Sequence, residues 1–261
     1  SEAASNPSSL GVNLLFLAVP DEEVGSAGMR AAVPALAEIR KERGFEYLGA
    51  ILAEPGAAGA PGAEGEAVFL GSVGKVMPFF YCAGIGSHVG RYFDGLSASL
   101  LASHVSVLVE GNPLMADRSG DETAPPPACL YLRDIRDGYS VTIPDRAAVF
   151  FNYMTLSRAP AEIMGEMKKV AVEACDAAFE QVRSSGTRLG AAFDIPPPRV
   201  VTFEEFAHET DRVLGGVAKT RIRELVEAID PALDDRRRSL AVVTKMLRWN
   251  PPAVPLVIVG F

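Results

Sequence analysis

Residues 19–29 read Val-Pro-Asp-Glu-Glu-Val-Gly-Ser-Ala-Gly-Met. Three consecutive carboxylates, Asp21, Glu22 and Glu23, follow a continuous apolar run, VNLLFLAV, at residues 12–19. Carboxylates crowded at the end of a buried strand are costly unless a cation compensates them. A second apolar run, YLGAILA at residues 47–53, ends at Glu54. A hard or borderline divalent cation would reconcile Glu23 with Glu54, and would leave Glu22 beside the metal to handle a proton. The plainer reading is an acidic turn that complements the dipole of a following helix. Residue types alone leave both open. His88 lies in Gly84-Ile85-Gly86-Ser87-His88-Val89-Gly90, and on its own it reads as a structural hydrogen bonder. His104 and His208 fall in or beside helical patterns and read as structural or solvated.

Elements must bring these groups together. Each apolar run reads as a strand buried on both faces, the parallel-sheet kind. Ser26 is placed to N-cap a helix over 27–43, Gly44 to stop it, and Pro34 to kink it. The resulting β-α-β unit sets both strands parallel, with their carboxylate ends at one sheet edge, where open α/β folds keep ligand sites. An Ala/Gly/Pro linker spans 56–65. Beyond it the pattern predicts a long strand or hairpin at 67–83, a helix at 94–109 and a polar loop at 117–127. Strands at 129–135 and 147–156, a helix at 160–183 and a short strand at 199–203 follow. That order, β-α-β-β-α-β, is the ferredoxin-like split unit. A helix over 231–249 leads to another buried parallel-type strand at 254–259. The expected organisation is an α/β core in two parts, 1–65 and 206–261, with 66–205 inserted between them.

Composition narrows the function classes. Of 261 residues, 48% are hydrophobic and 22% charged, which suits one or two globular domains and excludes disorder as the main state. The net charge of −8 opposes a nucleic-acid partner, which needs a basic footprint. No apolar run approaches the roughly 20 residues of a membrane span. Residues 1–9 lack the basic start and apolar stretch of a signal peptide, and the chain does not begin with Met. Cys82, Cys129 and Cys175 are odd in number and lie in apolar contexts, as reduced thiols of a cytoplasmic protein do.

The 19–29 stretch resembles the zinc-dependent peptidase and amidohydrolase family of glutamate carboxypeptidase, acetylornithine deacetylase and succinyl-diaminopimelate desuccinylase. The resemblance implies that Glu22 is the general base that activates a metal-bound water and that Glu23 is a metal ligand. It also implies that Glu54, in Ala53-Glu54-Pro55, binds the second of two divalent ions, zinc in the complete enzyme. Gly71-Ser72-Val73-Gly74-Lys75 and the Gly-rich turn resemble the opening of that family's lid, or dimerisation, domain. His88 would then stabilise the tetrahedral oxyanion, often across a homodimer. Within the family the likeness is greatest to arginine-utilisation proteins of RocB type, carried by Thr142-Ile143-Pro144-Asp145 and Phe151-Asn152-Tyr153-Met154-Thr155-Leu156. Asn152-Tyr153-Met154 stands where many members have Asp-x-Arg, so the arginine carboxylate clamp is absent there.

The expected fold class is thus a partial zinc-exopeptidase-like α/β core carrying an inserted ferredoxin-like lid. The expected activity is metal-assisted hydrolysis of an amide bond in a small amino-acid-derived or peptide-like substrate. The upstream His and bridging Asp and the final His of the metal site have no counterpart in the sequence. The chain therefore reads as a central fragment or a degenerate relative, inactive as given and holding zinc only weakly on two carboxylates alone. Two other classes remain: a non-catalytic dimerisation or small-molecule binding protein that retains the lid, and a sensor built on 71–205.

Overall fold

The computed structural model describes residues 11–23, 25–53, 71–136 and 138–261, and divides into two compact units, 1–69 and 70–261. Glu54 and the 56–65 linker lie outside the described residues. So do the boundary expected near 65 and the start of the strand expected at 67–83.

In the first unit the regular element is helix α1, Ala27–Arg43. Gly44 ends it at φ 64°, the left-handed conformation that only glycine adopts at no steric cost. Arg40, Lys41 and Arg43 in its last turn oppose the negative end of the helix dipole. The expected strands at 12–19 and 47–53 are not formed, so the partial α/β sheet expected here is absent among the described residues. The physical reason is that a strand exists only through a neighbour, and neither run has one there. Phe16 and Ile51 stand 91% and 99% exposed.

The second unit is a mixed α/β fold. It contains β1 Gly74–Val76, β2 Phe79–Ala83, helix α2 Ala98–Val109, a small hairpin of β3 Arg118–Ser119 and β4 Glu122–Thr123, and β5 Ala128–Asp134. There follow β6 Arg146–Thr155, α3 Pro160–Arg188, β7 Arg199–Thr202, α4 Phe203–Val213, α5 Ala218–Ala228, α6 Asp235–Trp249 and β8 Leu256–Gly260. The element order β-α-β-β-α-β is present as β2-α2-β5-β6-α3-β7. The spatial order is β5-β6-β2-β8-β7, with β1 beside the far end of β6. All pairings are antiparallel except β7 with β8.

The expected division at 205/206 is corrected by β8. It was expected in a separate core, yet it lies between β2 and β7 in this sheet, with all five residues buried. Its run Leu-Val-Ile-Val-Gly is apolar on both faces because helices cover both. Phe80, Cys82, Val149, Phe151, Val257 and Val259 face α2 and α3. Phe79, Tyr81, Phe150, Leu256 and Ile258 face α4 and α6. Each such side chain removed from water contributes about 1.5–3 kcal/mol. The segment expected at 67–83 is no hairpin: β1 and β2 both pair with β6, at Tyr153–Thr155 and Arg146–Phe150. Burial pushes the buried Cys175 thiol up to about 12 and raises that of Cys82 as well, so both are unreactive core thiols. No helix among the described residues is long and apolar enough to cross a membrane.

Candidate functional site

The turn before α1 is tight. Asp21 sits at φ 69° and Ser26 at φ 50°, and the Ser26 N–H donates to the Asp21 carbonyl at 2.5 Å. A Cβ on Gly28 would lie 2.5 Å from Pro20 Cδ, so only glycine lets the chain cross there. The expected Ser26 cap is corrected: the Ser26 side chain does not cap, because its hydroxyl donates back to the Glu22 carbonyl. The carboxylate of Asp21 instead accepts from the Ala27 N–H at 3.1 Å. Asp21 therefore supplies the negative group that the helix N-terminus favours, and α1 has no acidic residue in its first turn. Glu22 and Glu23 are exposed, and neither carboxylate has a hydrogen-bond partner among the described residues.

His88 lies in the second unit, in the turn between β2 and a short 3-10 segment, Val89–Asp94. It is exposed, and its Nδ1 accepts from the Gly90 N–H at 3.1 Å. A neutral imidazole that accepts at Nδ1 carries its proton on Nε2 and presents a donor there. The glycines make this turn possible. A Cβ on Gly84 would meet Leu96 O at 2.2 Å, one on Gly95 would meet Ile85 O at 2.4 Å, and one on Gly90 would press on the His88 ring at 3.2 Å.

The turn is clasped by residues 141–145. Val89 donates to Val141 O at 2.9 Å and Ile143 donates to Ser87 O at 2.9 Å, which makes His88 and Thr142 facing residues of an antiparallel bridge. Gly84 donates to Asp145 O at 2.9 Å, and Ala98, at the start of α2, donates to Pro144 O at 2.8 Å. The Thr-Ile-Pro-Asp segment thus holds the His88 turn through backbone groups. Arg136 then holds Thr142: its Nη1 donates to Thr142 O at 2.8 Å, and its Nε and Nη2 donate to Asp134 Oδ2 at 3.1 and 2.7 Å. The Arg136 guanidinium, through these hydrogen bonds, holds the Asp134 carboxyl below the usual range.

At the far end of β6, Tyr153 points into the α2/α3 core and donates to Met115 O at 2.6 Å. Burial first and Glu166 second push its phenol up to about 12, so it stays a donor. Arg158 is committed to Glu166 at 2.8 Å and to the Tyr153 hydroxyl. The Asn152 Oδ1 is buried with no hydrogen-bond partner among the described residues. His104 pairs with Gln181 at 2.8 Å, and His208 is exposed beside Glu204 at 3.9 Å.

The donor set falls short of a metal centre. No group of three or more His, Cys, Asp or Glu side chains among the described residues could hold an ion. Glu23 alone of the two expected ligands lies within the described residues, and Glu54 lies outside them. Glu22 and Glu23 share one turn of the first unit, and His88 belongs to the second. Sequence reasoning missed Asp117, Arg136 and Asp134. Asp117 grips backbone N–H groups 39–41 residues along the chain, and Arg136 holds Thr142 O six residues on; neither pairing has a signature in the local pattern.

No family model matches the chain. It is 32% identical over 254 residues to Uncharacterized protein YqjN of Bacillus subtilis (strain 168), across 95% of this chain and 46% of YqjN. It is 31% identical over 172 residues to Protein RocB of the same organism, across 66% of this chain and 30% of RocB. The chain is a relative of YqjN and RocB. It spans about half the length of YqjN and less than a third of RocB.

Proposed function

We propose that this chain belongs to a metal-dependent hydrolase that cleaves an amide bond in a small amino-acid-derived substrate, in arginine catabolism or a related route. The observation that carries the reading is the turn before α1: Asp21 accepts from the Ala27 N–H at the helix N-terminus, and the exposed Glu22 and Glu23 carboxylates have no hydrogen-bond partner among the described residues. The relation to RocB supports it. Membership in the zinc peptidase and amidohydrolase family is part of the proposal.

In this reading Glu22 takes a proton from the attacking water. The water oxygen bonds to the carbonyl carbon, and the His88 Nε2–H donates to the oxyanion that forms. Collapse breaks the carbon–nitrogen bond, and the amine leaves with the proton that Glu22 held. No step is routed through a metal, because the described donors do not suffice for one; Glu23 and Glu54 are the carboxylates proposed to touch an ion. A cytoplasmic homodimer built through the β-α-β-β-α-β unit completes the proposal.

The test is hydrolysis of a panel of N-acyl amino acids and dipeptides, with zinc, manganese or cobalt added and with chelator as the control. The reading expects turnover of at least one amide that chelator abolishes. Turnover that survives chelator, or none on any amide by the protein or by a longer protein that contains it, would overturn it.

A further inference from the structure

We propose that the Asp134–Arg136 pair is the positioning device of His88, acting through the backbone of residues 141–145. The inference rests on the proposed function only for the task that His88 performs; the positioning itself is read from geometry.

His88 and Thr142 face each other in an antiparallel bridge whose two hydrogen bonds are made by their neighbours: Val89 N–H to Val141 O, and Ile143 N–H to Ser87 O, both 2.9 Å. In such a pair the carbonyl of the central residue points away from the partner strand. Thr142 O is therefore turned outward, and the Arg136 Nη1 donates to it at 2.8 Å. Behind the guanidinium stands Asp134, the last residue of β5, in register with Ala147 of β6. Its two oxygens accept from Arg136 Nε at 3.1 Å, from Nη2 at 2.7 Å and from the Arg136 backbone N–H at 3.4 Å.

A six-stranded sheet is thereby connected to one carbonyl, and that carbonyl belongs to the residue opposite His88. Downstream, Pro144 and Asp145 are tied to α2 and to the end of β2. Upstream, the guanidinium is the side-chain donor to the Thr142 carbonyl among the described residues, while the Ser140 hydroxyl meets only the Thr142 hydroxyl at 2.8 Å. The pair is half-buried, at 25% and 33% side-chain exposure, so water competes less for the fork than at an open surface. Bridging a carboxylate and a carbonyl at once needs the planar fork of arginine; the single ammonium of lysine keeps the charge but not the two directions.

The experiment is nitrogen NMR of the His88 ring in the full chain with labelled histidine, for the native protein and for Arg136→Lys and Arg136→Ala. The native ring is expected as one tautomer, Nε2 protonated and Nδ1 accepting. Both variants are expected to move the two ring nitrogens toward the average of two tautomers, while the signals of core Phe80 and Phe151 stay in place. Where hydrolysis is measurable, kcat should fall by about 100-fold for a displaced donor, with KM within about twofold. A folded Arg136→Lys or Arg136→Ala protein whose His88 nitrogens are unchanged would overturn the inference. If Arg136→Ala does not fold, Arg136→Lys reads the same ring. Absence of hydrolysis by the native protein would sink the proposed function, and the ring signals would still decide this inference.

Discussion

Asp117 is 3% exposed and accepts six hydrogen bonds. They come from the backbone N–H groups of Arg118, Leu156, Ser157 and Arg158 and from the hydroxyls of Thr155 and Ser157. Burial by itself would raise its pKa, but the N–H donors of Arg158 and Ser157, with Thr155 and Leu156, outweigh burial and hold the carboxyl far below the usual range. A carboxylate lowered on folding adds stability that is fully present above its unfolded value, about pH 4, and is lost as pH falls toward the folded value. Asp117→Asn should therefore cost about 3 kcal/mol at pH 7, read as a lower urea midpoint. It should also flatten the loss of stability below about pH 4. Equal midpoints at pH 7 would show that the six donors find other partners. The sequence offered no sign of this residue. A lone Asp in a polar loop looks like any turn former until the end of β6 comes to meet it.

Among the elements, β8 joins β2 to β7, and its Gly260 is a tight point. A Cβ there would meet the Phe79 ring at 2.5 Å and Phe203 Cβ at 3.3 Å. Gly260→Ala should destabilise by about 1–3 kcal/mol through overpacking, seen as a lower urea midpoint with an unchanged slope. An unchanged midpoint would mean that the Phe79 ring moves aside freely. Much of this sheet was legible. The runs Phe79–Ala83, Ala147–Phe151 and Leu256–Gly260 are apolar and buried at every step, which fits strands covered on both faces. The place of β8 between β2 and β7 was not legible, because pairing across 170 residues leaves no local trace. The same limit explains residues 12–19 and 47–53. Their apolar demand is plain in the sequence, but strand formation depends on partners that the described residues do not provide. The polar β3–β4 hairpin and helix α5 were missed because they bury little, the hairpin strands being exposed and Ala218 the buried residue of α5; α4 was read only as a helical pattern beside His208, without bounds.

At the scale of the whole molecule, the chemistry proposed here is divided between two units, with Glu22 and Glu23 in one and His88 in the other. The carboxylates were legible because three acids in a row demand an explanation. Among the described residues, the structure gives the helix terminus to Asp21, which accepts from the Ala27 N–H. His88 was singled out by the family resemblance and not by its glycines, whose close approaches at Gly84, Gly90 and Gly95 the structure accounts for. The central claim is that Glu22 handles the proton of the attacking water. The most direct measurement is kcat for amide hydrolysis by Glu22→Gln against the native protein, with urea unfolding alongside. The account predicts a fall of about 10²- to 10⁴-fold in kcat with no change in urea midpoint, since the Glu22 side chain is exposed. Turnover equal to that of the native protein would contradict it.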